Sequence, residues 1–418
     1  MSKDEQSFIN LKMKMLNWAN QFNIFCFLDN NAYNFEKPAF ECLLGVGCKR
    51  SITFSKENSF TALQSFYDKN PTWLFGHLGY NAGNKAYTQH EENDFADGFF
   101  FEPEIVLKLS NNKIEIIKSN INDAVIVAEI NAIEILEVEK HLPFNIVSSL
   151  SKEKYIEKVK LLKQHIKRGD CYEINFCQRF FSEEATIHPI ATYIKLAQLS
   201  PAPFGSFYKL NNTYCLCASP ERFLQKKGNK LVSQPIKGTS RRDADLVKDA
   251  TNKMYLIESS KEKSENVMVV DLVRNDMSMV CQKGSVKVSE LFGIYSFPQV
   301  HQMISTIEGI LSPDKTFTQA IEACFPMGSM TGAPKKSVMQ LIEKYEDTQR
   351  GLFSGSIGYI TPDADFDFNV VIRSIFYNET KKKIYFFAGS GITFYSKAEE
   401  EYDECLAKAS AIVEVLKD

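Results

Sequence analysis

The sequence predicts an α+β fold, with helices and strands that mix without a regular βαβ rhythm. Three strand-like segments follow one another late in the chain, as in an antiparallel sheet: "GLFSGSIGYIT", "FNVVIRSIFYN" and "KIYFFAGSGITF". Helical periodicity appears in "ENVMVVDLVRN", in "KKSVMQLIEKYE" and in the closing segment "KAEEEYDECLAKASAIVEVLKD". These two observations favour α+β over a doubly wound sheet.

The first part of the chain predicts strands in "FECLLGVGCKRSITF" and "KIEIIKSNI". The segment "HLPFNIVSSLSKEKY" is interpreted as a joint, which divides the chain into regions 1–145 and 146–418. Ser151 is predicted to cap a helix whose apolar positions are Tyr155, Val159, Leu162 and Ile166. A strand follows in "RGDCYEINFCQRF", where Tyr172, Ile174 and Phe176 alternate with polar neighbours.

Composition gives no electrostatic reason to expect nucleic acid or an acidic membrane as a partner. The 418 residues include 49 Lys and Arg against 52 Asp and Glu, for a net charge of −3. Ten scattered cysteines without a C-x-x-C pair predict reduced thiols. The polar start "MSKDEQSF" and the absence of a long apolar run predict a cytoplasmic protein.

Several standard catalytic motifs are absent from the sequence. No G-x-G-x-x-G, G-x-x-x-x-G-K-[ST], G-x-S-x-G or H-E-x-x-H pattern occurs, and the six histidines do not cluster at ligand spacing. A P-loop kinase, a G-x-S-x-G hydrolase and a zinc protease are therefore unsupported.

Two pairs of glutamates suggest a cation site. Glu262 and Glu265 are three residues apart, as are Glu401 and Glu404, so each pair shares one face of a predicted helix. Two such faces across a cleft would offer oxygen ligands of the kind that Mg²⁺ prefers. Solvated acidic faces, with Glu404 paired to Lys408 on the same helix, are the alternative interpretation.

Other segments have the chemistry to bind an anion. Arg373 lies in an apolar strand pattern, where an inward guanidinium needs a partner such as a carboxylate. The small-residue segments "AGSGI" and "GSMTGAP" could bring backbone N–H groups close to a ligand. His301 could act as an acid or base. A structurally paired arginine, plain turns and a core histidine remain open as alternatives.

Lys237, in "SQPIKGTSRR", is a candidate nucleophile if its amine is neutral. Burial and neighbouring cations lower the pKa of a lysine, and Arg241 and Arg242 are the candidate cations. Glu221, sixteen residues upstream in "ASPERF", could exchange the protons that such a reaction moves. A solvated loop lysine is the alternative.

Taken together, the motifs resemble those of the chorismate-utilising enzymes, which include anthranilate, aminodeoxychorismate, isochorismate and salicylate synthases. The segments "SPERF", "PIKGTSRR", "ENVMVVDLVRND", "GSMTGAPKKSVMQLIE", "GLFSGSIGY", "AGSGI" and "EYDECLAKA" occur in the family's order from about residue 150 to the end. The resemblance implies an anthranilate-synthase-like fold of two packed antiparallel β-sheets with helices outside, and a Mg²⁺-dependent chorismate site.

The resemblance also implies roles for individual residues. Glu265 and Glu404 match the metal-binding glutamates, and Glu262 and Glu401 match their outer-sphere companions. Seven further residues match substrate-binding positions: Arg373, Gly389, Ser390, Gly391, Lys408, Gly238 and Thr239. Thr331 and His301 match positions near the reacting ring.

The residues at two positions distinguish branches of the family. One position separates members that add water from those that add ammonia, and the other separates members by the ring carbon that receives the nitrogen. Members that add water carry a lysine where this chain is matched to Gln178, which resembles the ammonia users. Anthranilate synthases read "PIAGT" where this chain reads "PIKGT", and the lysine form resembles the branch that makes 4-amino-4-deoxychorismate for 4-aminobenzoate and folate biosynthesis. In that branch Lys237 would attack C2 of chorismate and ammonia would add at C4, with Glu221 as proton donor and acceptor.

The resemblance implies an ammonia-dependent transferase with a partner. No G-x-C-x-G turn of a glutamine amidotransferase occurs, so a separate glutaminase subunit is expected to supply the ammonia. Two alternatives remain: an anthranilate synthase component I, in which Lys237 would be incidental, or a non-catalytic subunit that only binds chorismate.

Overall fold

The computed structural model describes residues 3–31, 33, 41–54, 59–82, 94–110, 112–135, 143–297 and 300–417. Phe40, the first residue of the segment "FECLLGVGCKRSITF" in which a strand is predicted, lies outside the described residues. Ten α-helices run in chain order: α1 (Lys3–Ala19), α2 (Ser59–Asp68), α3 (Asp123–Ala132), α4 (Lys152–Arg168), α5 (Pro189–Leu199), α6 (Leu246–Glu258), α7 (Ser260–Ser278), α8 (Phe317–Cys324), α9 (Lys335–Tyr345) and α10 (Ala398–Leu416).

The described residues also form 21 strands. They are β1 (Ile24–Asp29), β2 (Cys42–Val46), β3 (Arg50–Thr53), β4 (Leu74–Leu78), β5 (Gly98–Glu102), β6 (Ile105–Ser110), β7 (Lys113–Lys118), β8 (Val147–Ser148), β9 (Glu173–Ser182), β10 (Phe204–Leu210), β11 (Thr213–Ser219), β12 (Arg222–Lys227), β13 (Lys230–Gln234), β14 (Ile236–Arg241), β15 (Lys287–Ser296), β16 (Val300–Ile310), β17 (Gly332–Ala333), β18 (Ser356–Ile360), β19 (Phe366–Asn369), β20 (Ser374–Asn378) and β21 (Lys383–Thr393).

The strands build two antiparallel sheets, which confirms the predicted fold class. The first sheet has the order β17-β9-β21-β20-β11-β10-β1-β2-β6-β7, with β8 beside β9. The second has the order β14-β16-β13-β12-β19-β18-β4-β5-β3, with β15 beside β16. Strands from both sides of residue 145 share each sheet, and the division into regions 1–145 and 146–418 stays a prediction.

The first sheet is buried on both faces, because alternate residues of its strands enter two different cores. Phe25 and Phe27 of β1 pack in one core with side chains from α1, α4, α5, α9 and α10. Cys26 and Leu28 point the other way, into a second core shared with the second sheet and with α7. The strands of this sheet therefore read as nearly continuous apolar runs.

Several helices lie where the sequence predicts them. Ser151 caps α4, accepting a hydrogen bond from the backbone N–H of Lys154 at 3.4 Å. The four apolar positions predicted for this helix are its buried residues. Helices α7, α9 and α10 likewise lie in the segments where helical periodicity was found.

The segment "FNVVIRSIFYN" was wrongly predicted as one strand. β19 ends at Asn369 and β20 begins at Ser374, and Arg373 between them has a φ of +50°. This left-handed residue lies where the chain passes from the second sheet to the first. The three late segments are therefore divided between both sheets rather than consecutive in one.

Two further features bear on the predictions made from composition. All ten cysteines are free, as expected for reduced thiols. Across the part of the chain that the structure describes, no helix is long and apolar enough to cross a membrane.

Candidate active site

Lys237 lies on β14 and points at the first residue of β9. Its Nζ forms an ion pair with Oε1 of Glu173, and the two side chains are only 12 % and 2 % exposed. A Cβ placed on Gly391 of β21 would lie 3.0 Å from each of these two atoms. Lys237 is therefore held in the interior against bare backbone, and the alternative of a solvated loop lysine is wrong.

The charges around Lys237 are opposite to those predicted. Burial lowers the pKa of its ammonium, but the negative charges of Glu173, Glu265 and Glu221 outweigh burial and raise that pKa above its ordinary value. The predicted cationic neighbours face elsewhere: Arg241 is exposed, and Arg242 binds Asp249 at 2.8 Å. These charges therefore favour the protonated form of the amine.

Glu221, just before β12, has the properties of a group that exchanges protons near neutral pH. Its carboxyl is 4 % exposed and accepts a 2.6 Å hydrogen bond from the hydroxyl of Ser329. Burial raises the pKa of Glu221 to about 7, while Ser329 and the charges of Lys237 and Arg373 oppose that rise. A carboxyl with such a pKa can act as an acid in one step and a base in the next.

Arg373 lies where the chain passes between the sheets, and its guanidinium makes no hydrogen bond or ion pair within the described residues. Burial lowers its pKa, against the charges of Tyr33 and Glu221. A half-buried guanidinium without a partner is well suited to an anionic ligand. Its left-handed backbone, which the sequence did not predict, separates it from the regular strand.

The four predicted metal-site glutamates lie in the first two turns of α7 and α10, with Glu262 and Glu401 in the first turn of each helix. The pKa of Lys261 shows that the four carboxylates lie near one another. Burial lowers this pKa, but the charges of Glu265, Glu401, Glu262 and Glu404 together raise it. The Nζ of Lys261 is 3.9 Å from Oε1 of Glu265. One lysine thus lies within the electrostatic reach of all four carboxylates.

The chemistry of this cluster is compatible with a cation. Oε1 of Glu265 is buried and has no hydrogen-bond partner, and burial raises the pKa of this carboxyl to about 7. Glu404, by contrast, is 46 % exposed in its side chain and pairs with Lys408 at 2.8 Å. No three metal-ligating side chains of the described residues are already gathered around one point. A buried carboxylate oxygen without a partner fits a hard cation such as Mg²⁺.

The glycine-rich end of β21 offers backbone rather than side chains. β20 pairs with β21 only from Lys383 to Tyr385, so beyond that point this edge of β21 is not paired with β20. Lys408 donates a 3.0 Å hydrogen bond to the carbonyl of Gly389 along this stretch. Ser390 is paired with Phe176, whose side chain enters the helix-side core, so the Ser390 hydroxyl points away from Lys237.

Gly238 and Thr239 follow Lys237 on β14. Gly238 has a φ of +97°, and a Cβ there would lie 3.1 Å from Oε2 of Glu262. The backbone conformation therefore favours glycine, and an added Cβ would also be tightly packed. Thr239 is exposed and opposes Gln302 on β16.

Two further predicted residues are engaged by other groups. The hydroxyl of Thr331 donates to the carbonyl of Met327 at 3.1 Å. His301 is buried, with Nδ1 2.8 Å from the Ser296 hydroxyl and Nε2 3.1 Å from a carboxylate oxygen of Asp249. These hydrogen bonds direct the His301 ring toward α6 rather than toward Lys237.

Gln178 does not occupy the position beside the lysine. Its side chain donates to the thiol of Cys405 on α10, at 3.5 Å. Residues 173 and 178 are an odd number of positions apart on β9, so they point to opposite faces of the strand. The residue of β9 that faces Lys237 is Glu173, which the sequence interpretation missed. Its signal was available, since polar residues alternate with Ile174 and Phe176 in a strand that is buried on both faces.

Comparison with known proteins agrees with this architecture. The family model described as chorismate binding enzyme matches residues 26–414. The chain is 37 % identical over 270 residues to aminodeoxychorismate synthase component 1 of Escherichia coli (strain K12), a match that covers 65 % of this chain and 59 % of that protein. The chain thus spans less than two thirds of that relative.

Two other relatives carry the name of a different branch. An anthranilate synthase component I-like protein of Synechocystis sp. is 31 % identical over 362 residues, covering 82 % of this chain and 72 % of that protein. The crystal structure of anthranilate synthase component I from Streptococcus pneumoniae superimposes with a TM-score of 0.76 at 25 % identity, covering 88 % of this chain and 91 % of that one. From the extent of the family match and the shared fold, the chain belongs to the chorismate binding enzymes.

Proposed function

We propose that this protein converts chorismate and ammonia to 4-amino-4-deoxychorismate. The observation that carries the proposal is Lys237, a buried amine that faces the same interior as Glu221 and the glutamates of α7. Glu221, with a pKa of about 7, supplies the acid and base that such a reaction requires. The aminodeoxychorismate synthase named among the relatives supports the choice of product.

Binding of chorismate is assigned to two cationic side chains and to the backbone of β21. The guanidinium of Arg373 is the natural partner for one carboxylate of the substrate. The open edge of β21 at Gly389 and Gly391, together with Lys408, would receive another. Arg373 and the edge of β21 both lie on elements that also border Lys237 or Glu221. The substrate ring would therefore be held between Arg373 and β21.

Magnesium is assigned to the glutamates of α7 and α10. Glu265 and Glu404 would hold the ion, with Glu262 and Glu401 as outer-sphere companions. When bound, Mg²⁺ would neutralise a substrate carboxylate and stabilise charge that develops on the ring. The buried oxygen of Glu265 without a hydrogen-bond partner supports this assignment.

The protein's own groups would divide the reaction into two displacements. In the first, Lys237 bonds to C2, the ring double bonds shift, and Glu221 gives a proton to the C4 hydroxyl, which leaves as water. In the second, ammonia bonds to C4, the C2–N bond breaks, and Glu221 takes a proton from the new ammonium. A glutaminase subunit is the proposed ammonia source, and the cytoplasm the proposed compartment.

Product identification tests this function. The purified chain is incubated with chorismate, Mg²⁺ and an ammonium salt, and the products are separated and weighed by mass spectrometry. We expect 4-amino-4-deoxychorismate, with no fluorescent anthranilate. Formation of anthranilate would assign the chain to the rival branch, and chorismate binding without any turnover would identify a non-catalytic subunit.

A further inference from the structure

A lysine can attack carbon only after its ammonium loses a proton, and the structure shows a single direct acceptor. The ion pair with Glu173 is the one hydrogen bond that the side chain of Lys237 makes within the described residues. Glu221 is engaged by Ser329 at 2.6 Å, and no hydrogen bond joins it to the lysine. Glu265 contributes charge to Lys237, yet its nearest cation is Lys261 at 3.9 Å.

Glu173 is placed for proton exchange rather than for holding strands together. Its backbone is already fixed on both sides, paired with Ala333 of β17 and with Thr393 of β21. Its carboxylate has Lys237 as its one side-chain partner among the described residues. The carboxylate can therefore release Lys237 without breaking another side-chain contact among the described residues.

The surroundings of Lys237 and Glu173 favour proton exchange between these two side chains over exchange with solvent. Gly391 provides backbone without a side chain at 3.0 Å from both atoms, measured to an added Cβ. The charged groups that act on Lys237 from the other packed elements are Glu265 of α7 and Glu221 before β12. Bulk water has little access to either partner, since the two side chains are 12 % and 2 % exposed.

We propose that Glu173 is a further catalytic residue, the base that takes the proton from Lys237 before attack and returns it after release. This inference rests on the proposed function, because it assigns a source for the neutral amine which that function requires. Glu221 then serves only the leaving hydroxyl and the incoming ammonia.

The steps balance in atoms and charge. The ammonium of Lys237 passes one proton to the carboxylate of Glu173, giving a neutral amine and a neutral acid. The amine bonds to C2 while the C4–O bond breaks, and the hydroxyl leaves as water with the proton from Glu221. After ammonia has added at C4, the C2–N bond breaks, Lys237 leaves as a neutral amine, and Glu173 returns its proton.

The test is the rate of adduct formation in Glu173→Gln, followed by intact-protein mass spectrometry after rapid mixing with chorismate and Mg²⁺ without ammonia. The amide keeps the side-chain volume but accepts no proton. We expect adduct formation at pH 7 to be at least ~100-fold slower than in the unmodified protein. The ratio of the two rates should approach one as rising pH removes the lysine proton to solvent. Chorismate affinity should change less than about threefold.

Controls separate this inference from the proposed function. Glu183→Gln makes the same change just beyond the other end of β9, where the side chain is exposed and pairs with Lys383, and it should leave the rate unchanged. Glu173→Asp retains a carboxylate and should fall between the two rates, which provides a second test if the amide variant is unstable. A Glu173→Gln rate within a few-fold of the unmodified protein at pH 7 would overturn the inference alone. Absence of an adduct in the unmodified protein would overturn the proposed function as well.

Discussion

The protonation of one carboxyl, that of Glu221, is expected to set the pH dependence of the first chemical step. The step needs the protonated carboxyl, and burial raises the pKa of Glu221 to about 7. The rate of adduct formation should therefore fall as pH rises through about 7. The hydroxyl of Ser329 stabilises the ionised form and so lowers this pKa.

Ser329→Ala should therefore move this decline to higher pH. Loss of one hydrogen bond to the carboxylate predicts a shift of roughly 0.5 to 1 pH unit. The measurement is the rate of adduct formation between pH 5 and pH 9, with Ser410→Ala on the exposed face of α10 as the control. A decline that stays in place or moves to lower pH would contradict the assignment of Glu221 as the acid.

The residues to which we assign the reaction could be predicted from sequence only as far as local pattern reaches. Lys237 and Glu221 were found through their motifs, and both lie in one buried site. Their electrostatic setting was not found, because Arg241 and Arg242 are neighbours in sequence while Glu173 is a neighbour only through the pairing of distant strands. The same limit explains why the sequence did not show where the side chain of Gln178 lies. Strand alternation turns this side chain toward α10 and away from Lys237.

At the scale of elements, the start of α7 buries the carboxylate of Glu265 close to that of Glu262, and this lowers the stability of the metal-free protein at high pH. Burial raises the pKa of Glu265 above its value of 4.5 in an exposed chain, to about 7. The folded state therefore holds this proton more tightly than the unfolded state does. The resulting stability is present below about pH 4.5 and is lost as pH rises through 7.

Glu265→Gln removes this titration and should stabilise the metal-free protein more at pH 8 than at pH 5. The expected difference between the two pH values is about 1–3 kcal/mol in the free energy of unfolding. Urea unfolding in the presence of a chelator measures it, and Glu400→Gln, an exposed carboxylate of α10, is the matched control. An equal effect of Glu265→Gln at both pH values would show that Glu265 is not a strained carboxylate.

Elements with strong local signals were predicted best. Helix α4 follows from its cap at Ser151 and its apolar spacing, and α7 and α10 follow from periodicity. The break at Arg373 could not be read in the same way. An apolar run with strand composition does not show whether the chain stays in one sheet or turns at one residue into the other sheet.

At the scale of the whole molecule, the site depends on strands that are far apart in the chain. Glu173 starts β9, Lys237 lies on β14, and Gly391 lies near the end of β21, and these strands belong to two sheets. Arg350 ties β9 to the segments before β17 and after α9, because it donates to the carbonyls of Asn175 and Met330 while pairing with Glu346. Strand neighbours of this kind are non-local, so the two-sheet fold followed from the family resemblance and not from periodicity.

The central claim is that Lys237 forms a covalent bond to the substrate, and mass spectrometry of the protein during turnover tests it most directly. With chorismate and Mg²⁺ but no ammonia, the unmodified protein should gain the mass of chorismate less one water. Lys237→Ala should abolish this gain while leaving chorismate binding nearly intact, and Lys230→Ala on neighbouring β13 should form the adduct normally. A mass gain that persists in Lys237→Ala would contradict the account.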